Sequence, residues 1–318
     1  MENSKVLCAT YPYFYALDPH SISKFPREDW YSYYYSLNIT LMVVADGITR
    51  DCLDQNTGEV YPVDKHNIDK SARDYPLDLN PAGRAAKVFC LELALYIQQK
   101  RAEINVNNAT SILREAVVQS NHQLKKLQNK LGLSSKVDYL YNDLAGCVAS
   151  GALILGNKLL WFAQTDCRLG IIRDEQIFFL SNNYMQNFID ACQNDVKIKD
   201  NIWIENESRV VVRRDYRNKV SNPSSYGAFT GESEAIDFVH FGIVDLEQDD
   251  IIFCASDGLE VYLDNLDKQI LGGFTQAIID SSNLSSLIPF ENFRNKLFEA
   301  NPGKMNYAKE STITVTKI

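Results

Sequence analysis

The stretch GCVASGALILGNKLLWFAQ, from Gly146 to Gln164, contains two strand-forming runs that indicate the fold class. Its two apolar runs, Gly146–Leu155 and Lys158–Gln164, flank the turn signal Gly156-Asn157, and this pattern predicts a β-hairpin. Two further apolar runs, Leu169–Ile172 and Ile177–Leu180, are separated by a turn containing Asp-Glu and predict a second hairpin. Strands joined by tight turns are antiparallel, which argues against a parallel sheet with crossover helices.

Helical patterns lie on either side of these hairpins. Asn80-Pro81 supplies a cap and a first-turn proline for a helix that runs to about Arg101. A second helix is predicted from about Ala109 to Gly132. The remaining predicted elements are strands at 5–10, 33–45, 248–255 and 312–318, a short helix at 183–194, and helices near 265–279 and 289–299.

Two segments show neither pattern. Residues 48–80 are polar and contain proline, and we expect a long loop there. Residues 195–235 are also polar and irregular, which predicts a mobile, poorly packed flap or insertion. No linker or internal repeat divides the chain, so the order of elements predicts one α+β domain over residues 1–318.

The composition limits the class of protein. The chain has 318 residues, 45% of them hydrophobic, which is enough for a large core. With a net charge of −9, its most basic stretch is Arg209–Arg217, which an exposed loop explains equally well, so we expect no nucleic-acid partner. Its seven cysteines form no CxxC pair, and no signal or membrane-spanning pattern is present. We therefore expect a soluble, cytoplasmic protein with reduced cysteines and no membrane partner.

Two apolar strands end in the same dipeptide, Asp-Gly. They are Val43-Val44-Ala45 before Asp46-Gly47 and Phe253-Cys254-Ala255-Ser256 before Asp257-Gly258. A strand end fixes a carboxylate, and glycine allows a sharp turn or a close approach of the backbone. Paired carboxylates of this kind suit Mg²⁺ or Mn²⁺, whereas a single Asp-Gly pair is more often an ordinary turn. The repeated pattern favours a carboxylate metal site.

Two other acidic positions have weaker signals. Asp166 lies between two apolar strands, where a hairpin-turn residue is the simpler interpretation. Glu28-Asp29 follows Lys24 and Arg27 just before a predicted strand, where a solvated charge cluster is the simpler interpretation.

In their order along the chain, these motifs resemble those of the protein phosphatase 2C family, the metal-dependent protein phosphatases, and its bacterial-type branch in particular. The family has a basic residue ahead of an acidic pair, represented here by Lys24 and Glu28-Asp29. The other motifs follow in the family's order: Asp46-Gly47, the Gly/Ser-rich strand 145–154, Asp166 with Arg168, and Ser256-Asp257-Gly258. The resemblance extends from about residue 5 to residue 318.

The resemblance implies a sandwich of two antiparallel β-sheets flanked by antiparallel helix pairs, with the metals at one end. It implies two Mn²⁺ or Mg²⁺ ions bridged by Asp46, with the Gly47 carbonyl on the first ion. The second ion would be held by Asp257 and Glu310. A weaker third ion would lie at Asp166.

The resemblance also implies a reaction and a substrate. Glu28 and Asp29 would bind metal-bound waters, and Lys24 or Arg27 would neutralise the substrate phosphate. The implied activity is hydrolysis of phosphoserine and phosphothreonine on proteins by a water activated between two metals. A phosphorylated protein is therefore the expected partner.

The chain departs from the family pattern at two informative places. Ile48 follows the first Asp-Gly where the family often has His or Met. Glu310 is the only acid in Lys309-Glu310-Ser311-Thr312, where the family has an aspartate motif. These departures leave two alternatives open: a weak or inactive phosphatase-like binding domain, and a phosphatase that acts on a small phosphorylated metabolite.

Overall fold

Two five-stranded antiparallel β-sheets form the centre of the molecule. The computed structural model describes residues 5–11, 27–36, 38–48, 51–54, 56–62, 70, 73–74, 79–139, 143–182, 185–195, 198–199, 202–203, 210–263, 268–300 and 310–318. The strands of the two sheets are β1 (Val6–Tyr11), β2 (Trp30–Ser36), β3 (Ile39–Ile48), β6 (Gly146–Leu155), β7 (Lys158–Ala163), β8 (Arg168–Arg173), β9 (Gln176–Phe179), β12 (His240–Asp245), β13 (Ile251–Ala255) and β14 (Ser311–Lys317). Short hairpins are formed by β4 (Asp51–Leu53) with β5 (Val60–Pro62), and by β10 (Ile198–Lys199) with β11 (Ile202–Trp203).

The two sheets face each other as a sandwich. The first has the strand order β12-β7-β6-β3-β2 and the second has the order β1-β14-β13-β8-β9. Apolar side chains from both sheets, such as Met42, Val44, Ile252 and Cys254, are fully buried in one cluster. This cluster is the middle layer of the core.

Helices cover the outer faces of the sandwich. The helices are α1 (Pro81–Lys100), α2 (Ala109–Leu131), α3 (Gln186–Asp195), α4 (Glu260–Leu263), α5 (Lys268–Leu284) and α6 (Ile288–Ala300). The pair α1 and α2 packs on the first sheet, and the pair α5 and α6 packs on the second. The predicted α+β sandwich with flanking helix pairs is confirmed.

Local sequence signals explain where the first helix pair begins and ends. The Asn80 side chain accepts a hydrogen bond from the Gly83 amide at 2.8 Å, and Pro81 occupies the first helical position. The α2 helix ends at Gly132, whose φ of 69° lies in the left-handed region that glycine adopts without strain. Both helix predictions are confirmed.

Three element predictions are wrong in detail. The single strand predicted at 33–45 is a hairpin of β2 and β3, which the unbroken run of β-forming residues concealed. The loop predicted at 48–80 contains the β4–β5 hairpin. The edge strand β12 was not predicted, although its sequence His-Phe-Gly-Ile-Val-Asp contains three β-forming residues.

The predicted flap at 195–235 is well packed where the structure describes its second half. Phe229 is fully buried, stacks on Phe89 with ring centroids 4.2 Å apart, and exchanges two backbone hydrogen bonds with Cys147. Arg217 is buried against the Asp143 carboxylate. The prediction of poor packing is therefore wrong for residues 210–235, because buried polar contacts hold a segment that has few apolar side chains. Residues 196–197, 200–201 and 204–209 lie outside the described residues.

The described arginines of the basic stretch form ion pairs with aspartates of the same chain. Arg213 and Arg217 both contact Asp143, and Arg214 contacts Asp215. Arg209 lies outside the described residues. Across the described ranges, no helix has the length and apolar character needed to span a membrane.

Candidate metal centre

Three segments from different elements meet at one end of the sandwich. Asp46 lies near the end of β3, Asp257 follows β13, and Asp29 directly precedes β2. Asp46 does not terminate its strand as predicted, because β3 continues through Ile48 in register with β6. The structure thus brings together two of the aspartates that follow apolar runs and one member of the Glu28-Asp29 pair.

The three carboxyl groups contact one another and nearby hydroxyls. Asp46 shares side-chain hydrogen bonds with both Asp257 and Asp29. The Ser256 hydroxyl donates to Asp29 Oδ2 at 2.6 Å and accepts from the Thr312 amide at 2.9 Å. Asp29 is buried, whereas Asp46 and Asp257 keep partial access to solvent.

Burial and the repulsion between neighbouring acids both act on the carboxyl groups of this cluster. Burial, and then the charges of Asp257 and Asp29, hold the pKa of Asp46 well above its usual value, and Asp166 adds to this effect. Burial raises the pKa of Asp29 to about 7, against the opposing effect of the hydrogen bond from Ser256. The strongest charge effects on Asp46 come from acids, so the cluster attracts cations.

The two Asp-Gly glycines are needed for close approaches of backbone. A Cβ atom on Gly47 would lie 2.7 Å from the Glu28 carbonyl oxygen and 2.8 Å from that of Ala82. A Cβ atom on Gly258 would lie 1.8 Å from the Glu310 carbonyl oxygen. Neither glycine has a positive φ, so the turn geometry that we expected is not the reason for glycine here.

Glu28 and Glu310 lie next to the cluster and contact each other. The Glu310 carboxylate accepts from the Glu28 amide at 3.0 Å and from the Asp29 amide at 3.4 Å. The Glu28 carboxylate accepts from Asn80 Nδ2 at 2.7 Å. Burial, followed by the charges of Asp29 and Glu28, raises the pKa of Glu310 well above its usual value. Glu310 therefore contacts the acidic pair, and both of its oxygens accept backbone hydrogen bonds.

Asp166 directly follows Thr165, whose backbone has an unfavourable positive φ. Thr165 has a φ of 62°, which is rare for a β-branched residue, and its hydroxyl donates to the Gly227 carbonyl. A Cβ on Gly227 would lie 2.3 Å from Phe238 Cβ, so the 227–238 segment packs tightly on this turn. Asp166 is thus held within electrostatic range of Asp46.

Of the two basic residues predicted at the site, the structure describes Arg27. Arg27 is exposed, immediately before Glu28, and its carbonyl packs against the start of α1, where a Cβ on Gly83 would lie 2.1 Å away. Lys24 lies outside the described residues.

The donor chemistry of the cluster fits a hard divalent cation. Carboxylate oxygens are the ligands that Mg²⁺ and Mn²⁺ prefer, and a divalent cation would relieve the repulsion that raises the pKa of Asp46. In the described part of the chain, no three or more His, Cys, Asp or Glu side chains are already arranged to hold a metal. The carboxyl groups hydrogen-bond to each other and to protein donors instead.

Two residues near the cluster received no role in the sequence prediction. Ser256 was noted only as part of Ser256-Asp257-Gly258, and Asn80 only as a helix cap. Ser256 could have been noticed in the sequence, because it is a hydrophilic residue between an apolar strand and Asp257. No local signal connects Asn80 to Glu28, because the two are 52 residues apart.

Solved structures match the whole architecture, although no protein-family model and no curated protein matches the sequence. The crystal structure of the Mycobacterium tuberculosis serine/threonine phosphatase PstP/Ppp is 13% identical, with 99% of this chain and 98% of that chain covered and a TM-score of 0.54. The crystal structure of serine/threonine phosphatase Stp1 from Staphylococcus aureus is 14% identical, with 99% and 94% covered and a TM-score of 0.58. The chain has the fold of the bacterial serine/threonine phosphatases.

A third structure with this phosphatase fold is described with metal. The catalytic domain of PstP in complex with two manganese ions is 13% identical, with 99% of this chain and 97% of that chain covered and a TM-score of 0.54. The resemblance in fold predicted from the motifs is therefore confirmed.

Proposed function

We propose that this protein is a metal-dependent phosphatase that hydrolyses phosphoserine and phosphothreonine monoesters on proteins. The observation that carries the proposal is the acidic cluster of Asp29, Asp46 and Asp257 at one end of a phosphatase-type sandwich. Mutually repelling carboxyl groups raise the energy of a fold, and such an arrangement is typical of a cation site. We place the protein in the cytoplasm, because its five described cysteines are free thiols.

Asp46 and Asp257 would hold two Mn²⁺ or Mg²⁺ ions, as the manganese complex of a protein with this fold suggests. Bound there, the ions would lower the pKa of a water and stabilise negative charge on the phosphoryl oxygens. Asp166 would serve a weaker third ion at the edge of the cluster.

The chain's own groups would orient the reactants. Glu28 and Asp29 accept hydrogen bonds and would orient water beside the phosphate. Arg27, with its exposed guanidinium next to the acidic pair, would neutralise the substrate phosphate, together with Lys24.

The test is hydrolysis of a generic phosphate ester with Mn²⁺, with Mg²⁺ and with excess chelator. We expect hydrolysis with metal and none with chelator. Asp46→Asn should lower kcat by about 100-fold or more, because it removes charge at the centre of the cluster. The matched control is Asp245→Asn, which changes an exposed strand-end aspartate paired with Lys158 and should leave the rate unchanged.

Phosphoserine, phosphothreonine and phosphotyrosine peptides should then be compared with small phosphorylated metabolites. Preference for the phosphoserine and phosphothreonine peptides supports the proposed substrate class. Preference for a metabolite would replace that class, and full activity in excess chelator would overturn the metal-dependent mechanism. Metal binding without turnover would identify the protein as a phosphatase-like binding domain.

A further inference from the structure

Two side chains from distant parts of the chain, Asn80 and Glu310, hydrogen-bond to the segment at Glu28 and Asp29. Asn80 Nδ2 donates to Glu28 Oε1 at 2.7 Å. The Glu310 carboxylate accepts from the amides of Glu28 and Asp29. The residues come from the start of α1 and the start of β14, so two distant parts of the chain converge on this turn.

Asn80 combines two functions in one fully buried side chain. Its Oδ1 accepts from the Gly83 amide at 2.8 Å and caps α1, while its Nδ2 bonds to the Glu28 carboxylate. Aspartate and serine cap helices as well as asparagine does, but neither can donate from a nitrogen in the position of Nδ2. Capping alone therefore does not require asparagine, whereas orienting Glu28 does.

Glu310 is connected to the backbone of the turn rather than to the centre of the cluster. Each Glu310 oxygen accepts one backbone hydrogen bond. The absence of a Cβ on Gly258 lets the Glu310 backbone approach, and this contact fixes where the side chain begins.

We propose that Asn80 and Glu310 are positioning residues that clamp the Glu28-Asp29 turn beside the metal site, and that Glu310 is not a metal ligand. The effect of this clamp on catalysis rests on the proposed function. The clamp itself can be measured without turnover. It replaces the role that the family resemblance implied for Glu310.

The test for Glu310 uses Glu310→Gln and Glu310→Ala with two readouts. Hydrogen exchange at the Glu28 and Asp29 amides should become about tenfold faster, because the variants weaken or remove hydrogen bonds to a charged group. Calorimetric titration should give the wild-type number of Mn²⁺ ions. Unchanged exchange together with loss of one Mn²⁺ ion, or weakened binding that affects Mg²⁺ more than Mn²⁺, would overturn the clamp and restore Glu310 as a ligand.

The test for Asn80 uses Asn80→Asp and Asn80→Ser, which both keep a helix cap. With saturating Mn²⁺ we expect kcat to fall about tenfold or more in Asn80→Asp, where two carboxylates oppose each other, and less in Asn80→Ser. Helical content should stay near the wild-type value in both variants, and the thermal midpoint should fall more in Asn80→Asp, which buries two opposed carboxylates, than in Asn80→Ser. Asn108→Asp at the start of α2, where the asparagine side chain makes no cap hydrogen bond, is the matched control and should keep wild-type kcat.

A double-mutant cycle shows whether Asn80 acts through Glu28. In a Glu28→Ala background, Asn80→Ser should cause little further loss of kcat, because the acceptor of the Asn80 hydrogen bond is already removed. Additive losses, or an Asn80→Asp enzyme with wild-type kcat, would overturn the positioning role. If the wild-type protein has no phosphatase activity, the exchange measurements still decide the clamp, so the two failures are distinguishable.

Discussion

Two carboxylate sites in the described part of the chain have opposite electrostatic surroundings. Asp143 is 1% exposed and is bonded by the Arg217 guanidinium through two hydrogen bonds, with Arg213 Nε 3.2 Å away. The charges that act most strongly on Asp46 are those of the acids Asp257 and Asp29. Arginines neutralise the carboxylate at the first site, whereas acids repel one another at the second, and this is the difference that we expect between a structural ion pair and the proposed cation site.

The effect on Arg217 illustrates the neutralisation at the first site. Burial alone lowers the pKa of a guanidinium, but the Asp143 carboxylate overcomes this, and the net pKa of Arg217 is raised. The pair ties residues 210–235 to the start of β6, so the segment expected to be a flap depends on this contact.

The largest stability effect should come from breaking this pair. Arg217→Met leaves Asp143 with less compensation in a buried position, and we expect a loss of about 3–5 kcal/mol in the free energy of unfolding. Arg214→Ala, which removes an exposed ion pair with Asp215, should cause no measurable change. Urea unfolding of both variants tests the prediction. Equal unfolding midpoints would show that the buried pair contributes no more stability than the exposed pair.

A smaller effect of opposite sign is expected at the acidic cluster. Asp46→Asn removes one of the repelling charges, so in chelator it should raise the free energy of unfolding by about 1–2 kcal/mol while abolishing turnover. This corresponds to roughly 2–4 °C per kcal/mol in the thermal midpoint for a chain of this size. A destabilised Asp46→Asn protein would show that the cluster is structural rather than strained.

This gain should depend on pH with a definite sign. Burial and the neighbouring acids hold the pKa of Asp46 well above the value of about 4 that an aspartate has in an unfolded chain, so the folded protein keeps a proton that the unfolded chain releases. Stability from this group is therefore present at low pH and is lost as the pH rises above about 4. Because Asp46→Asn lacks this group, its advantage in chelator should grow as the pH rises above about 4, and an advantage that shrinks would contradict the assignment.

The sequence predicted the fold well where local signals are strong. The hairpin around Gly156-Asn157 and the helices that begin at Pro81 and Ala109 follow from turn, cap and periodicity signals. The strand β12 was missed although Phe241, Ile243 and Val244 favour a strand. The packing of residues 210–235 could not be predicted locally, because it depends on contacts with Asp143 and Cys147, which are distant in sequence.

The sequence predicted that some of these acids would lie together, but it did not predict their geometry. Strand-end aspartates pointed to Asp46 and Asp257, and the structure brings these together with Asp29. The bonds from Asn80 and Glu310 to the turn at Glu28 span 52 and 282 residues, so no local pattern encodes them. For the same reason, the sequence could not show that both Glu310 oxygens face backbone amides.

Calorimetric titration of Mn²⁺ into wild-type protein and Asp46→Asn tests whether the acidic cluster binds two cations. We expect the wild type to bind two ions, and the folded variant to lose binding or to bind much more weakly. Wild-type protein that binds no Mn²⁺, or a variant that binds it with wild-type stoichiometry and affinity, would show that the cluster is not a two-cation site.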